Sequence, residues 1–292
     1  MAKQYPTVSG VHKTLEFDST RWKYYKPRAG DVIISTYAKC GTTWMQQIVL
    51  NLHYPGKDKP LLNEVSLWVE RHDRRNGQSE QTIGELTDSF ERIQSPRQFK
   101  THLPLDYLPY YPEVKYLVVG RDMRDAWISW HNHLLQINEL KVKDLRAFWR
   151  IWIDQGIEGN APAATGDAVH PHFSFYNNWW RYGDLENIHL VHFNNLLGNL
   201  KNEIIKIAGF LEIEINDVSA EEIAKATMFA AMKKNSRQLL GDGNWLINQG
   251  TNGRWKEILT TADIDLYENA KIRAGEKGVA EDCLNWLESG MM

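Results

Sequence analysis

The chain has 292 residues, with 34 basic against 37 acidic side chains, a net charge of -3, 42% hydrophobic and 24% charged residues. A chain of this size folding as one unit buries about 75% of its unfolded surface, so a core forms without disulfides or a structural metal. The near-cancelling charge leaves no broad positive field for a nucleic-acid backbone or an anionic membrane surface, which excludes general polyanion binding but not a local site for a small anion.

Two cysteines, Cys40 and Cys283, are too few for a disulfide framework, and the opening MAKQYPTVSG has no apolar core of signal-peptide length. No stretch approaches the ~20 apolar residues of a membrane span. A cytoplasmic, reduced protein with no membrane or nucleic-acid partner is expected. No repeat or linker-like tract divides the sequence, so a single domain over residues 1–292 is the expected organisation.

In chain order, short β-rich runs alternate with stretches of helical period. That is the pattern of an α/β three-layer fold, a central and mainly parallel sheet flanked by helices. The first strand is expected over Asp31 to Thr36 and a helix over Thr42 to Tyr54. The polar stretch from Glu70 to Asp88 reads as irregular. Strands follow over Gln98 to His102 and Lys115 to Gly120, and a helix over Arg124 to Leu135. Residues 156 to 172, rich in Gly, Ala and Pro, read as a second irregular segment, and such segments are lids, binding loops or plain surface. The last strand spans Ile188 to Phe193. The helix after it, Asn199 to Leu211, puts Leu200, Ile204, Ile207, Ala208 and Leu211 on one face. Ala262 to Leu287 reads as a single final helix.

Three segments carry chemistry. After the first strand, Lys39-Cys40-Gly41-Thr42-Thr43 runs straight into a helix. Unpaired amides and the positive helix end favour an anion there, Gly41 allows close backbone approach, and Lys39 and the two threonine hydroxyls add donors. This is a P-loop-like phosphate cradle, against the plainer reading of a Thr-capped helix. The pattern GxxxxGK[ST] is not met, because the lysine precedes the glycine by two positions, which disfavours an ATP or GTP hydrolase. Next, His102 ends a strand at the edge where open α/β sheets bind ligands, and Lys100 lies two residues earlier on the same strand face. A histidine there suits proton transfer from a hydroxyl, against the plainer reading of an ordinary hydrogen bond. Finally, Arg121 at a strand end can fork onto a phosphate, and Ser129 lies about two helical turns further on. On the residues alone, Arg121, Asp122, Arg124 and Asp125 read as a surface Arg-Asp network.

The run Tyr37-Ala38-Lys39-Cys40-Gly41-Thr42-Thr43-Trp44 resembles the YPKSGTTW loop of the cytosolic-type sulfotransferases, with Ala38 for the usual proline and Cys40 for the usual serine. The segments FKTHLP at 99 to 104 and RDMRDAWIS at 121 to 129 resemble, in the same order, that family's catalytic-base and 3′-phosphate segments. The chain is thus identified as similar to a bacterial-type member of the PAPS-dependent (3′-phosphoadenosine 5′-phosphosulfate) sulfotransferases, over about Gly30 to Thr260. The resemblance implies sulfuryl transfer from PAPS to a hydroxyl, with PAP as product and no metal. It implies His102 as base, with Lys39 and Lys100 neutralising charge. Lys39, Cys40, Gly41, Thr42, Thr43 and Trp44 would hold the 5′-phosphate, and Arg121 and Ser129 the 3′-phosphate. Phe193, Thr227 and Phe229 would lie with Trp44 near the adenine.

One motif departs from the family. Where RKGxxGDWKxxFT is usual, Asn248, Gln249 and Gly250 open the run, and two cations are lost from the 3′-phosphate grip. Arg254 is a candidate to compensate. The segment KEILTTADID, 256 to 265, matches the family's KxxxTVxxxE dimer contact only loosely, so the oligomeric state stays open between monomer and homodimer. The acceptor is expected to be a small, hydrophobic or phenolic hydroxyl compound, with Trp68, Trp127, Trp130, Trp149, Trp152, Trp179, Trp180 and Trp245 available to line its pocket. His170 and His172 lack further ligands at metal spacing and read as surface. The competing readings are a non-catalytic PAP-binding module and a nucleotide kinase.

Overall fold

The computed structural model describes residues 5–14, 17–56, 59–72, 81–157, 171–240, 247 and 249–290. Five strands, β1 (Val32–Thr36), β2 (Ser66–Trp68), β3 (Gln98–Thr101), β4 (Lys115–Gly120) and β5 (Ile188–His192), pair in the order β2-β3-β1-β4-β5. Every pair is parallel. A parallel sheet is covered on both faces, and β1 is accordingly buried along its whole length. Alternation sends Ile33, Phe99, Tyr116 and Val118 to one face and Val32, Ile34, Leu117 and Val119 to the other.

The helices are α1 (Thr42–His53), α2 (Leu62–Val65), α3 (Ile83–Arg92), α4 (Met123–Gln136), α5 (Leu145–Ile151), α6 (His172–Trp180) and α7 (Phe193–Gly198), followed by α8 (Leu200–Phe210), α9 (Asp217–Thr227), α10 (Phe229–Lys234), α11 (Ser236–Leu240), α12 (Thr261–Glu276) and α13 (Glu281–Ser289). On the second face Met45, Ile48 and Val49 of α1 share one buried cluster with Ile204, Ile207 and Ala208 of α8 and Ala224 of α9. Leu200 and Leu211 flank that cluster, so the apolar face read from the sequence is the packed one. The first face is covered by α3, α4, α5, α6, α12 and α13 and is rich in aromatic rings. These two layers fix the C-terminal ends of β1, β3 and β4 as neighbours along one sheet edge.

Several expectations need correction. The final helix is two, because Gly278 takes a left-handed φ of 89° and ends the run before α13 begins. The stretch from Glu70 to Asp88 is not irregular throughout. It contains the start of α3, where Thr82 and Glu85 form a reciprocal capping box and Leu86 and Phe90 bury one face. The edge strand β2 escaped notice because three residues are too few to show alternation. Trp127, Trp149, Trp152 and Trp179 are fully buried and belong to the core, where large rings fill the space between helices. His172 is wholly buried between Tyr37 and Tyr176, not on the surface. Arg121, Asp122 and Asp125 are each 5% exposed, so their network is interior. His170, Trp245, Asn248 and most of the second irregular segment lie outside the described residues.

Candidate active site at the sheet edge

The loop from β1 to α1 turns through two left-handed residues, Lys39 (φ 65°) and Gly41 (φ 102°). A side chain at Gly41 is disfavoured twice, by the strain of that φ and by a Cβ position only 3.0 Å from the Phe193 ring. For Lys39 the conformation is a local strain of the kind found at functional sites. The first bond at the start of α1 runs from Met45 N–H to the Gly41 carbonyl, so the amides of residues 42 to 44 lie ahead of the helical ladder, at its positive end. Thr42 is tied back to the strand by a 2.6 Å bond between its hydroxyl and that of Thr36.

Cys40 contributes differently from its expected place in the cradle. Its side chain is wholly buried, burial pushes the thiol up to about 11, and its N–H closes a turn on the Tyr37 carbonyl. It shapes the loop from beneath.

His102 follows the last residue of β3, beside Thr36 at the end of β1. Its Nδ1 lies 2.6 Å from the Thr36 carbonyl oxygen. A carbonyl only accepts, so Nδ1 carries the proton and Nε2 presents a lone pair. The ring stands edge-on to Trp68, with centroids 5.0 Å apart. The Lys100 ammonium sits over the same indole at 4.5 Å. Burial, and then the charges of Lys100, Lys39 and Arg71, draw the imidazole down to about 4, partly offset by the Thr36 bond. Lys39 falls to about 8 through burial and then Arg121 and Lys100, and Lys100 to about 8 through burial and then Arg71. Cations crowd here at the expense of their own protonation, which an anionic ligand would restore.

Arg121, at the end of β4, makes the third part. Its Nη1 donates to the Lys39 carbonyl at 2.9 Å and to Ser129 Oγ at 3.4 Å. Its Nε reaches Asn252 Oδ1 at 2.9 Å and Nη2 the Thr251 carbonyl at 3.0 Å. Helix α4 therefore does fold Ser129 back onto the strand edge. The guanidinium lies over the Phe193 ring at 4.2 Å, and Trp44 meets that ring edge-on at 5.1 Å. Phe193 is thus a wedge beneath the loop and Arg121. Phe229 packs on Gly250, where a Cβ would fall 2.0 Å from the ring, while Gln249 is exposed. Thr227 is fully buried, with its hydroxyl donating to the Ile223 carbonyl of α9. Of the residues expected around one ligand, those among the described residues lie along one edge, with Cys40, Phe193 and Thr227 beneath it.

The sequence did not single out Glu70, Thr36 or Asn252, and it read Asp125 only as part of a surface network. Asp125 Oδ1 accepts the Gly253 N–H at 2.7 Å, and Asn252 bridges Arg121 to Asn194, so both pin the 250–253 turn beside the loop. Among the described residues no three His, Cys, Asp or Glu side chains gather to hold a metal ion, and no helix is long and apolar enough to cross a membrane.

The chain is similar to known proteins over most of its length. A family model described as a sulfotransferase domain matches residues 29–271. A glycolipid sulfotransferase of Mycobacterium bovis is 27% identical over 87% of this chain and 87% of its own length. Sulfotransferase 1B1 of the dog, Canis lupus familiaris, is 26% identical over 84% of this chain and 83% of its own. Among solved structures, the mouse sulfotransferase SULT7A1 complexed with PAP superposes with a TM-score of 0.68 at 19% identity, covering 89% of this chain and 92% of that one. Retinol dehydratase in a complex with retinol and PAP gives 0.65 at 19%, covering 87% and 86%. With the family model spanning most of the sequence and the fold shared with these structures, the chain belongs to the sulfotransferase family.

Proposed function

We propose that the protein transfers the sulfuryl group of PAPS to the hydroxyl of a small apolar or phenolic acceptor, acting as one domain in a cytoplasmic setting, with no metal. The observation that carries this reading is the His102–Thr36 bond, which leaves Nε2 unprotonated in a site where Lys39 and Lys100 both act on the imidazole. The names of two similar folds support it, since both were solved with PAP. The donor set also suits such a nucleotide, with loop amides, threonine hydroxyls and two lysines near one phosphate position and Arg121 with Ser129 near another.

Bound PAPS supplies an activated sulfuryl group and accepts the electron pair of the broken sulfur–oxygen bond as PAP. This chain's residues do the rest. Nε2 of His102 takes the acceptor's hydroxyl proton as that oxygen attacks. Lys100 and Lys39 meet charge developing on the transferring and bridging oxygens, and the amides of residues 42 to 44 with the hydroxyls of Thr42 and Thr43 hold the departing 5′-phosphate. Gly250, Gln249, Asn248, Phe229 and Trp44 are assigned to the nucleotide's other end, with Phe193 backing Trp44 and Arg121 from beneath. Trp68, half-buried against His102, forms one acceptor wall, and an aromatic wall with few polar groups favours a hydrophobic hydroxyl compound.

The test is incubation with radiolabelled PAPS and a panel of phenols, alkyl alcohols, sterols and amines. Labelled sulfate ester with phenols or apolar alcohols is the expected product. PAP binding without transfer to any acceptor would leave only a nucleotide-binding module.

A further inference from the structure

We infer that Glu70 is a positioning residue for the transfer, one buried carboxylate that ties together the acceptor wall, the strand end and the base and faces Lys100 with a negative charge. The inference rests on the reading of His102 and Lys100 as the transfer centre.

Glu70 lies just beyond β2 and is 1% exposed. Its Oε1 accepts from Trp68 Nε1 at 2.8 Å, from the Thr101 hydroxyl at 2.8 Å and from the His102 backbone N–H at 3.0 Å. Its Oε2 accepts from Trp22 Nε1 at 2.9 Å. A buried carboxylate is tolerated only where donors replace water, and here four converge on it. Three of the four belong to the reaction side: Trp68 is the ring against which His102 and Lys100 lie, Thr101 ends β3, and His102 is the base itself. Fixing the His102 amide and the Trp68 indole on one oxygen sets where the imidazole stands relative to the wall.

An apolar residue here would strand these donors, and a glutamine would set its amide against Trp22 Nε1 or, flipped, against the other three. Charge adds a second role. Among the described residues, the charged and titratable groups that bear on Lys100 are Lys39 from the β1–α1 loop, Arg71 and Glu70 beyond β2, and His102 on its own strand. Glu70 is the acid among them; burial raises its pKa while the donors from His102, Thr101 and Trp68 oppose that rise, and its carboxylate supports the charged form of Lys100.

The test compares Glu70→Gln and Glu70→Asp with wild type in the full chain. The pH dependence of acylation at Lys100, read by peptide mass spectrometry on the free enzyme, reports its protonation without turnover. In Glu70→Gln the Lys100 titration should move down by about half a pH unit or more. The kcat for a phenol should fall about tenfold or more, while affinity for PAP stays within about twofold. Glu70→Asp should keep the wild-type Lys100 titration and lose kcat, and it decides the matter if the glutamine variant does not fold. Wild-type titration and wild-type kcat in either variant would overturn the inference. So would kcat and PAP affinity falling together with Lys100 unmoved in Glu70→Gln, the mark of a merely structural role. A wild-type enzyme that binds PAP but transfers nothing would defeat the transferase reading instead, while the Lys100 titration still reads the role of Glu70.

Discussion

His102 Nδ1 and the carbonyl oxygen of Thr36 are 2.6 Å apart, and that single bond assigns the imidazole tautomer. It joins the ends of β1 and β3, adjacent parallel strands, so the sheet itself sets the base. Nitrogen-15 NMR of the free protein near neutral pH should show a protonated Nδ1 and a bare Nε2 at this residue. The opposite tautomer would remove the lone pair from the position the mechanism needs.

The perturbed groups define a pH window. His102 has its pKa lowered to about 4 and must be neutral to take a proton, so kcat/KM should rise through that value. Lys39 and Lys100 are lowered to about 8 and must be charged, so kcat/KM should fall as pH rises through that value. The free enzyme is thus expected to give a bell with limbs near these two values. An alkaline limb near that of an ordinary lysine would contradict the account.

Gly41→Ala is expected to cost about 1–3 kcal/mol of stability, because an alanine must hold a left-handed φ. Its Cβ would also press on Phe193, the ring that carries Arg121, so PAP affinity should fall as well. A thermal melt and a PAP titration on one preparation check both. Unchanged affinity would show that the loop tolerates displacement of its wedge.

The turn at 249–254 gives a charge prediction. Gln249 is exposed at a position where the family pattern has a cation, and Arg254 lies close enough to bear on Arg121. The double variant Asn248→Arg, Gln249→Lys should tighten PAP about tenfold, since hydrogen bonds to charged groups contribute roughly 1.5–3 kcal/mol. Arg254→Ala should loosen it. No tightening in the double variant would mean that Arg254 already supplies what the lost pair would have given.

The fold and much of the candidate site were legible because local pattern and chemistry coincide there. β1 and β4 are short apolar runs, α8 has one apolar face, and Gly41 sits where a turn meets a helix. The helix pair at the C-terminus was misread because a continuous helical composition is broken by one left-handed residue, Gly278. Helix α6 was missed because HFSFYNNWW is buried on most sides, with His172, Asn177 and Asn178 inside along with the aromatic rings, so its apolar residues show no clear period. Glu70 stood at the head of a polar run, and nothing local marks a carboxylate whose four donors come from Trp22, Trp68, Thr101 and His102. Such partners are set by the sheet order, which a single sequence does not display. The tryptophans show the same limit, for among the described residues the core takes most of the large rings and Trp68 stands against the proposed base.

The central claim is that His102 takes the acceptor proton at a site that holds PAPS without it. Single-turnover transfer from radiolabelled PAPS to a phenolic acceptor, measured on wild type and His102→Ala with PAP affinity determined in parallel, tests it most directly. The account predicts a loss of about 10²–10⁴ in the transfer rate with PAP affinity nearly unchanged. Equal transfer rates in the two proteins would contradict it.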